Sequence, residues 1–281
     1  TKKTKAIMIP NLLGNVPDLK KINKIARRYN LKIIEDSADT IGYKVNGKNF
    51  GKFSDITTNS MYASHIITGA GFGGMVCFND KKLYDKAKLL RGWGRSSAVF
   101  NESEGIKKRF NTKVDGIPYD GKYIFQDIGY NFLPSEISAA FASVQLRKLP
   151  KNIKKRINNF DNLKSFFSNY PKLFDLPIQQ KGLKTPWLAY PVIIKSKKIN
   201  RQKLQIFLEK RGIQTRTIFT GNILRQPIMK KRKYKKVKFA EINSNLVMTN
   251  GILIGCHHGL NSRDLDYIKK NFKTFINAIP R

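Results

Sequence analysis

The stretch KAIMIPNLLGNVPDLKKINKIARRYNLKIIEDSA, residues 5–38, decides the predicted fold. Short apolar runs at both of its ends are typical of buried strands. Between them, Pro17 and Asp18 open a segment with a helical pattern. The apolar positions of that segment fall on one face, at Leu19, Ile22, Ile25 and Ala26. A strand, a helix and a second strand of this size form a β-α-β unit with parallel strands, so the stretch predicts an α/β fold.

The same kind of pattern continues along the first half of the chain. It predicts two further strands and a helix ended by glycine, at residues 55–62, 73–79 and 80–94. Residues 95–126 are polar and lack a period, which predicts a long irregular loop. The next helical pattern begins with Ser135 as its N-cap and is interrupted by Pro150. Because proline breaks the hydrogen-bond pattern of a helix, we expect two consecutive helices there.

The character of the sequence changes near Tyr170 and Pro171. A strand-like run, a helical segment and another short strand follow, at residues 187–195, 201–212 and 213–219, and the chain ends in an amphipathic helix. This order predicts a smaller α+β domain. We therefore expect a large domain over residues 1–170 and a small C-terminal domain over residues 171–281.

Composition limits the class of protein. Of 281 residues, 41% are hydrophobic, which is enough for a packed core, and no apolar run approaches the length of a membrane span. The two cysteines, Cys77 and Cys256, lack metal-ligand spacing, so we expect no metal site and a reducing, cytoplasmic location. The chain starts without Met and enters a strand almost at once, so we expect it to be a piece of a longer protein.

The strongly basic balance, 54 Lys and Arg against 19 Asp and Glu, raises the question of a nucleic-acid partner. The lysines are spread over most of the chain, and the densest run, MKKRKYKKVK at residues 229–238, is expected to be an exposed loop. No zinc-finger, helix-turn-helix or RNA-recognition pattern is present in the sequence. A lysine-rich, solvated surface is therefore favoured, with no nucleic-acid partner and no membrane insertion. A non-catalytic basic binding protein remains an alternative.

Polar residues collect where the predicted parallel strands end. The second predicted strand, within residues 31–38, ends in Glu35 and Asp36 and then Asp39. The next strand ends in Ser60, Tyr62 and then His65. Because ligands of open α/β sheets bind beyond the carboxyl ends of the strands, these side chains predict a ligand site.

Several motifs in this region resemble one enzyme family. The segments IIEDSADTIG (33–42) and SMYASHIITG (60–69) resemble the sugar-nucleotide branch of fold-type I pyridoxal-phosphate enzymes, the DegT/DnrJ/EryC1/StrS family. Three further segments resemble family motifs in the same order: RGWGRSS, GYNFLPSEISAAFASVQLRKL and RGIQTRTIFTGNILRQP, at residues 91–97, 129–149 and 211–227. The resemblance implies the fold of that family, with a central, mostly parallel sheet in a cofactor-binding large domain and a smaller C-terminal α+β domain.

The resemblance makes His65 the main candidate for catalysis. Most members of the family carry at this position the lysine that holds the cofactor covalently, whereas a histidine is similar to the 3-dehydrase branch, typified by CDP-4-keto-6-deoxyglucose 3-dehydrase. The histidine implies pyridoxamine phosphate as the working form of pyridoxal phosphate. It also implies that an imidazole acts as base, a role for which this side chain is suited near neutral pH. Tyr62, three residues earlier, is expected to orient His65 or to assist the leaving group.

Other site residues follow from the resemblance one by one. Asp36 corresponds to the carboxylate that faces the pyridine nitrogen of the cofactor, and Asp39 to an acid beside it that supports the ring or His65. Ser60 corresponds to the serine that binds the cofactor phosphate. Asn131 corresponds to a residue that reaches the cofactor of a neighbouring subunit, which implies a homodimer. Residues expected to face the sugar nucleotide are Arg216, Asn222 and Arg225.

Three departures from the family pattern affect these expectations. The loop after RGWGR has no cysteine, whereas the nearest branch holds an iron–sulfur cluster there, so no such cluster is expected. This favours a cluster-free route in which glutamate supplies the amine and the product leaves by hydrolysis. The turn TGAGFGG (68–74) has one residue more than the family motif and lacks its glutamate. The chain also begins inside the family's large domain, so we expect an N-terminally truncated piece that binds the cofactor poorly alone.

The predicted function is removal of the C3 hydroxyl from a CDP- or GDP-linked 4-keto-6-deoxyhexose. Relatives of this kind supply deoxysugars for surface polysaccharides such as lipopolysaccharide O-antigen. A pyridoxal-phosphate-dependent sugar aminotransferase is the main alternative, but it needs a lysine, and residues 60–74 contain none. An inactive, shortened copy is the remaining possibility.

Overall fold

The structure is a computed structural model that describes residues 1–49, 51–100, 104–236 and 239–279. By internal contacts the chain divides into two compact units. Unit 1 comprises residues 1–11, 18–38 and 50–147, and unit 2 comprises residues 12–17, 39–49 and 148–281. The large domain proposed for residues 1–170 and the small one for residues 171–281 stay predictions.

The described residues include 13 short strands and seven α-helices, besides short 3-10 turns and loops. The strands are β1 Ala6–Pro10, β2 Lys32–Asp36, β3 Lys44–Val45, β4 Lys48–Asn49, β5 Ile56–Ser60, β6 Gly74–Phe78, β7 Thr112–Val114, β8 Ile117–Tyr119, β9 Phe174–Asp175, β10 Leu183–Lys184, β11 Tyr190–Ile194, β12 Thr215–Arg216 and β13 Gly251–Ile254. The helices are α1 Leu19–Arg28, α2 Lys81–Arg91, α3 Ile106–Phe110, α4 Glu136–Phe167, α5 Arg201–Glu209, α6 Glu241–Asn250 and α7 Ser262–Asn277.

The sheet of unit 1 confirms the predicted β-α-β unit. Its strand order is β1-β2-β5-β6, in which β1 pairs with β2 and β2 with β5 in parallel, and β6 is antiparallel to β5. Helix α1 begins after Asp18, whose carboxylate accepts from the Lys21 N–H and so caps the first turn. The register places Pro10 opposite Asp36 and Asp36 opposite Thr58, so the three parallel strands end at one edge.

Two glycines bring distant motifs of unit 1 together. The N–H of Trp93 donates to Tyr130 O at 2.9 Å, and the N–H of Gln126 donates to Gly94 O at 2.8 Å. A Cβ on Gly129 would lie 2.1 Å from Gly94 N, and Gly94 itself has a φ of +74°. Only glycine fits such a close approach of two backbones. The RGWGR and GYN motifs therefore form one joined structure.

Two predictions about this half of the chain were wrong. The loop expected over residues 95–126 contains the short helix α3 and the hairpin of β7 and β8. The helix expected to end at Pro150 instead runs through it as the single helix α4, directly after the predicted capping residue Ser135. Buried side chains of α4 on both sides of the proline, Leu149 and Phe160, pack in the interior, and such packing outweighs a lost backbone hydrogen bond.

Unit 2 has an antiparallel sheet with helices. The strand order is β12-β13-β11-β9, and β13 is buried along its whole length. Trp187 and Phe160 stack at the centre of the core, with ring centroids 4.4 Å apart. Helix α7 begins with a capping box between Asn261 and Asp264. In the part of the chain that the structure describes, no helix is both long and apolar enough to cross a membrane.

Candidate functional site

A buried polar network lies under the strand ends of unit 1. The Glu35 carboxylate is fully buried, and its Oε1 accepts hydrogen bonds from Asn11 Nδ2 at 2.8 Å and Ser37 Oγ at 2.9 Å. Its Oε2 accepts from Ser54 Oγ at 3.0 Å. Asn59 Nδ2 donates to Ser37 O at 2.7 Å, which links the ends of β5 and β2. Because each contact joins a different segment, the network fixes the strand ends against one another.

The sequence did not single out this network. Glu35 and Asn11 are 24 positions apart, and Ser54 is 19 positions from Glu35. A lone asparagine or serine carries no spacing signal, so only the fold reveals that these side chains meet. The one hint is the acidic residue placed beside Asp36 in a strand that is otherwise apolar.

Asp36 occupies the end of β2, as its position in the sequence predicts. The residue is half-buried, and its Oδ1 accepts from the Ala38 N–H at 3.0 Å. Its backbone carbonyl accepts from the Asn11 N–H at 2.8 Å. The carboxylate is thus held at the edge where the parallel strands end, where open α/β sheets bind ligands.

His65 lies in the turn between β5 and β6, and its Nδ1 is 3.0 Å from Ser60 Oγ. The N–H of Tyr62 also donates to Ser60 Oγ, at 3.2 Å. The turn is closed by the N–H of Met61, which donates to Gly73 O at 3.0 Å, and by the N–H of Gly69, which donates to Met61 O at 2.8 Å. The structure therefore brings together Ser60 and His65, two residues that the sequence predicted for the site.

The turn that holds His65 combines two buried isoleucines with glycines in left-handed backbone conformations. Ile66 and Ile67, directly after His65, are both 3% exposed and anchor this side of the turn. Gly71 and Gly73 have φ values of +96° and +100°, in the left-handed region that suits glycine. An added Cβ on Gly71 would meet no atom within 4 Å, so the space beside Gly71 is open, whereas one on Gly69 would lie 2.3 Å from Phe72 O.

Tyr62 and Asn131 lie in unit 1 but are exposed. The Tyr62 and His65 rings have centroids 6.0 Å apart in an edge-to-face arrangement, so the phenol ring lies beside the imidazole. Asn131 forms an isolated backbone bridge with Gly92, next to a stacked pair of exposed rings, Tyr130 and Phe132. A role for Asn131 at a neighbouring subunit stays a prediction.

The remaining predicted residues belong to unit 2. Asp39 Oδ2 accepts from the Leu13 N–H at 2.8 Å and stabilises a turn in which Leu13 has a φ of +58°. Asn222 is 3% exposed, its Nδ2 donates to Asn245 Oδ1 at 2.9 Å, and its Oδ1 accepts from the Leu224 N–H at 2.9 Å. These contacts give both side chains a structural task in unit 2. Their roles in binding or catalysis stay predictions.

The two arginines of the same group differ from Asn222. Arg216 and Arg225 are exposed, and the Arg216 guanidinium donates to the carbonyl of Thr215 at 2.8 Å. Exposed guanidinium groups are suited to phosphate recognition. Contact with a sugar nucleotide is a prediction for both.

Unit 2 also buries polar groups that the sequence analysis did not single out. Arg156 is 3% exposed and donates from Nη1 to the carbonyls of Trp187 and Leu188, at 3.1 and 3.2 Å. Burial raises the pKa of the Cys256 thiol to about 12, so this cysteine is held as an uncharged thiol. Burial also lowers the pKa of His257, and Arg156 adds to that effect. Arg156 and Cys256 thus lie in the core of unit 2, whereas His257 lies beside them and is itself exposed.

The strand-end edge of unit 1 presents a carboxylate, a hydroxyl and an imidazole on an open, mostly parallel sheet, the arrangement of a ligand-binding α/β enzyme. A family model described as the DegT/DnrJ/EryC1/StrS aminotransferase family matches residues 1–273. The chain belongs to that family, which confirms the family prediction.

Individual relatives narrow the comparison. The chain is 34% identical over 280 residues to the lipopolysaccharide biosynthesis protein RfbH of Salmonella typhimurium, covering 98% of this chain and 63% of the relative. It is 34% identical over 260 residues to GDP-4-keto-6-deoxy-D-mannose 3-dehydratase of Yersinia pseudotuberculosis, covering 92% of this chain and 63% of that enzyme. The chain thus spans less than two thirds of the length of either relative.

A solved relative shows the fold. The structure of Escherichia coli GDP-4-keto-6-deoxy-D-mannose-3-dehydratase with bound hydrated pyridoxal phosphate matches with a TM-score of 0.82 and 29% identity, covering 96% of this chain and 68% of that one. The predicted fold is confirmed. The cofactor implied by the family agrees with this relative, which holds it in hydrated form.

Proposed function

We propose that the protein containing this chain removes the C3 hydroxyl of a nucleotide-linked 4-keto-6-deoxyhexose with pyridoxal or pyridoxamine phosphate as cofactor. The observation that carries the proposal is His65, hydrogen-bonded to Ser60 at the strand-end edge of a chain in this family. Residues 60–74 contain no lysine that could hold the cofactor covalently. The relatives named as 3-dehydratases support the same reaction.

The donor set of unit 1 fits the proposed cofactor. The half-buried Asp36 carboxylate suits a protonated pyridine nitrogen, and the Ser60 hydroxyl suits a phosphate oxygen. When bound, the cofactor supplies a ring that delocalises negative charge from the reacting carbon. The Glu35 network below holds the strands that carry Asp36 and Ser60, which keeps both groups in place.

The Ser60 and His65 pair has one arrangement that suits a base. If His65 Nδ1 carries the proton, it donates to Ser60 Oγ together with the Tyr62 N–H, and both lone pairs of that oxygen are used. The Ser60 O–H then points elsewhere as a donor, which suits phosphate binding. In this tautomer His65 Nε2 carries the lone pair that a general base needs.

The proposed task of His65 is to move one proton. Nε2 of His65 accepts the proton that leaves the reacting carbon. The resulting imidazolium then donates this proton to the C3 hydroxyl, which departs as water. The Tyr62 phenol, with its ring centroid 6.0 Å from that of His65, is the second possible proton donor for the hydroxyl.

The proposal extends to the setting of the reaction. The substrate is proposed to be CDP- or GDP-linked, with Arg216 and Arg225 as candidates for contact with the diphosphate, and the enzyme to act as a homodimer in the cytoplasm. RfbH, named for lipopolysaccharide biosynthesis, supports a place in surface-polysaccharide synthesis. A sugar aminotransferase is the second candidate, favoured by the family's own description as aminotransferases.

Variants of His65 test the reaction. The full-length protein is incubated with pyridoxamine phosphate, glutamate and each 4-keto-6-deoxy sugar nucleotide, and mass spectrometry follows the loss of water. His65→Asn should abolish dehydration while absorbance titration still shows cofactor binding. His258→Asn, the same exchange at a histidine of unit 2, serves as control and should keep activity. Dehydration by His65→Asn at the wild-type rate would overturn the assignment.

The same experiment separates the two candidates. Wild-type protein that transfers the amine to the sugar without losing water would support the aminotransferase. His65→Lys should instead retain the cofactor covalently through gel filtration, with a shifted absorbance band, because a lysine at this position resembles the rest of the family. Failure of His65→Lys to retain it would show that the turn does not aim this side chain at the cofactor.

A further inference from the structure

The densest run of cations in the sequence belongs to unit 2. Residues 210–240 include 11 Lys or Arg and no Asp or Glu. Six of these cations fall in the seven residues 230–236, which we call the basic segment. All seven residues are exposed. This concentration of charge exceeds what solvation of a helix face requires.

The cations of the basic segment are largely uncompensated. Among the described residues of the basic segment, Lys236 is the one that forms an ion pair, and its partner is Glu241 at the start of α6. Like charges so close together repel each other, and an anionic surface relieves the repulsion. The segment therefore favours a partner that presents many negative charges.

Exposed apolar side chains adjoin the basic segment. Ile228 is 52% exposed just before it and Tyr234 is 47% exposed within it. Ile242 and Leu246, one turn apart on α6, are 60% and 44% exposed. The ion pair between Lys236 and Glu241 places the end of the segment beside Ile242. We call these four side chains with the basic segment the basic–apolar surface.

The mixture of side chains distinguishes between two polyanions. Nucleic acids are held by cations and by aromatic rings that stack on bases, and aliphatic side chains cannot stack in that way. An anionic lipid surface attracts clustered lysines, and aliphatic and tyrosine side chains enter its headgroup region. Three of these four side chains are Ile or Leu, and Phe239, which is 70% exposed between the segment and α6, adds a second aromatic ring suited to the headgroup region. The composition favours the lipid surface.

We infer that the basic–apolar surface docks the protein peripherally onto an anionic lipid bilayer. The basic segment supplies the electrostatic attraction, and Ile228, Tyr234 and Ile242 supply the apolar contact. In this arrangement the exposed apolar side chains enter the headgroup region of the bilayer. The inference stands independently of the proposed reaction.

Vesicle co-sedimentation of the full-length protein tests this inference. Vesicles of phosphatidylcholine alone are compared with vesicles that also contain phosphatidylglycerol, over a range of salt concentrations. Binding is expected only to the anionic vesicles and should weaken as salt rises, since screening reduces the attraction. Equal binding to both kinds of vesicle, or to neither, would overturn the inference.

Matched variants locate the surface. Exchanging Lys230, Lys231, Arg232 and Lys233 for Gln should weaken vesicle binding by roughly several hundredfold, at about fivefold for each cation. The control removes the same charge from the exposed side of α1, at Lys20, Lys24, Arg27 and Arg28. Circular dichroism should show both variants folded. If the control variant loses vesicle binding to the same extent, binding depends on net charge alone, and the inference of a defined surface is refuted.

A second pair of measurements separates lipid from nucleic acid. Ile242→Ser leaves the charge unchanged and should weaken binding to anionic vesicles by roughly fivefold to tenfold, because an apolar contact is lost. It should leave the weak, salt-sensitive binding of mixed-sequence single-stranded RNA unchanged. If RNA at physiological salt binds more tightly than anionic vesicles, and loss of the four cations abolishes that binding, the surface is a nucleic-acid site and the inference fails.

Discussion

Replacement of Glu35 should distinguish a hydrogen-bonded network from simple burial. The carboxylate accepts from Asn11, Ser37 and Ser54 at 2.8 to 3.0 Å and is fully buried. Two exchanges differ in what they leave behind. Glu35→Ala removes all three acceptor contacts and opens a cavity, whereas Glu35→Gln keeps the shape and one carbonyl oxygen.

The structure predicts a clear order for the two variants. In Glu35→Gln, the new amide replaces Oε2 and donates to Ser54 Oγ, whose hydroxyl can turn to Thr57 Oγ1 at 2.9 Å. The cost should be about 1 to 2 kcal/mol, the difference between charged and neutral hydrogen bonds. Glu35→Ala leaves buried donors without their acceptor and should cost about 4 kcal/mol.

Urea unfolding followed by far-UV circular dichroism measures the free energies of unfolding. Hydrogen exchange with mass spectrometry then shows where protection is lost, which should be in β1, β2 and β5 and not in β11 and β13. Equal losses for the two variants, or a loss below about 1 kcal/mol for Glu35→Ala, would refute the reasoning, because the loss of the acceptor from buried donors must add to the cost of the cavity.

Three further predictions concern packing and pH. Gly129→Ala should lower the free energy of unfolding by at least about 3 kcal/mol in urea unfolding, since its Cβ would lie 2.1 Å from Gly94 N, whereas Gly116→Ala, with no atom within 4 Å, should cost only the strain of a φ of +83°. Burial raises the pKa of Asp55, but hydrogen bonds from the Ile33 N–H and Lys32 outweigh it, so the folded pKa is lowered. The stability difference between wild type and Asp55→Asn should therefore be present above the ordinary value of 3.8 and shrink as the pH falls below it; a constant difference would contradict this. Burial and Arg156 lower the pKa of His257, so wild type should lose stability as the pH falls through 6.5, and thermal melts of His257→Gln should show a shallower loss over that range; identical pH profiles would contradict the assignment.

Structural features that depend on residues close together in the sequence could be predicted. The β-α-β unit follows from apolar spacing and from Asp18 at the start of α1, and both signals lie within a few residues of the feature they determine. Pro150 shows the limit of such signals. Its local effect is to end a helix, but α4 continues through it because the buried side chains around the proline pack in the core. Only tertiary contacts decide between these outcomes.

The contacts that sequence reasoning missed join residues far apart in the chain. Gly94 and Gly129 each resemble an ordinary turn glycine, and their need for each other is visible only where the two backbones meet. Asp39 illustrates the opposite case, in which a motif position has a structural contact of its own with the Leu13 N–H. A motif therefore identifies the residue type, whereas the fold determines which atoms the side chain can still reach.

The Ser60 and His65 pair combines both kinds of information. The sequence identified each residue separately, through resemblance to a family in which one binds phosphate and the other replaces a lysine. The structure adds that Ser60 Oγ lies 3.0 Å from His65 Nδ1 and also accepts the Tyr62 N–H. The tautomer of the histidine and the direction of the serine hydroxyl are consequently coupled. A proton leaving His65 Nδ1 would require Ser60 to turn its own hydroxyl inward, away from a phosphate. In the proposed mechanism, cofactor binding and base function are thus linked through one oxygen atom, and we expect Ser60→Ala to weaken both together.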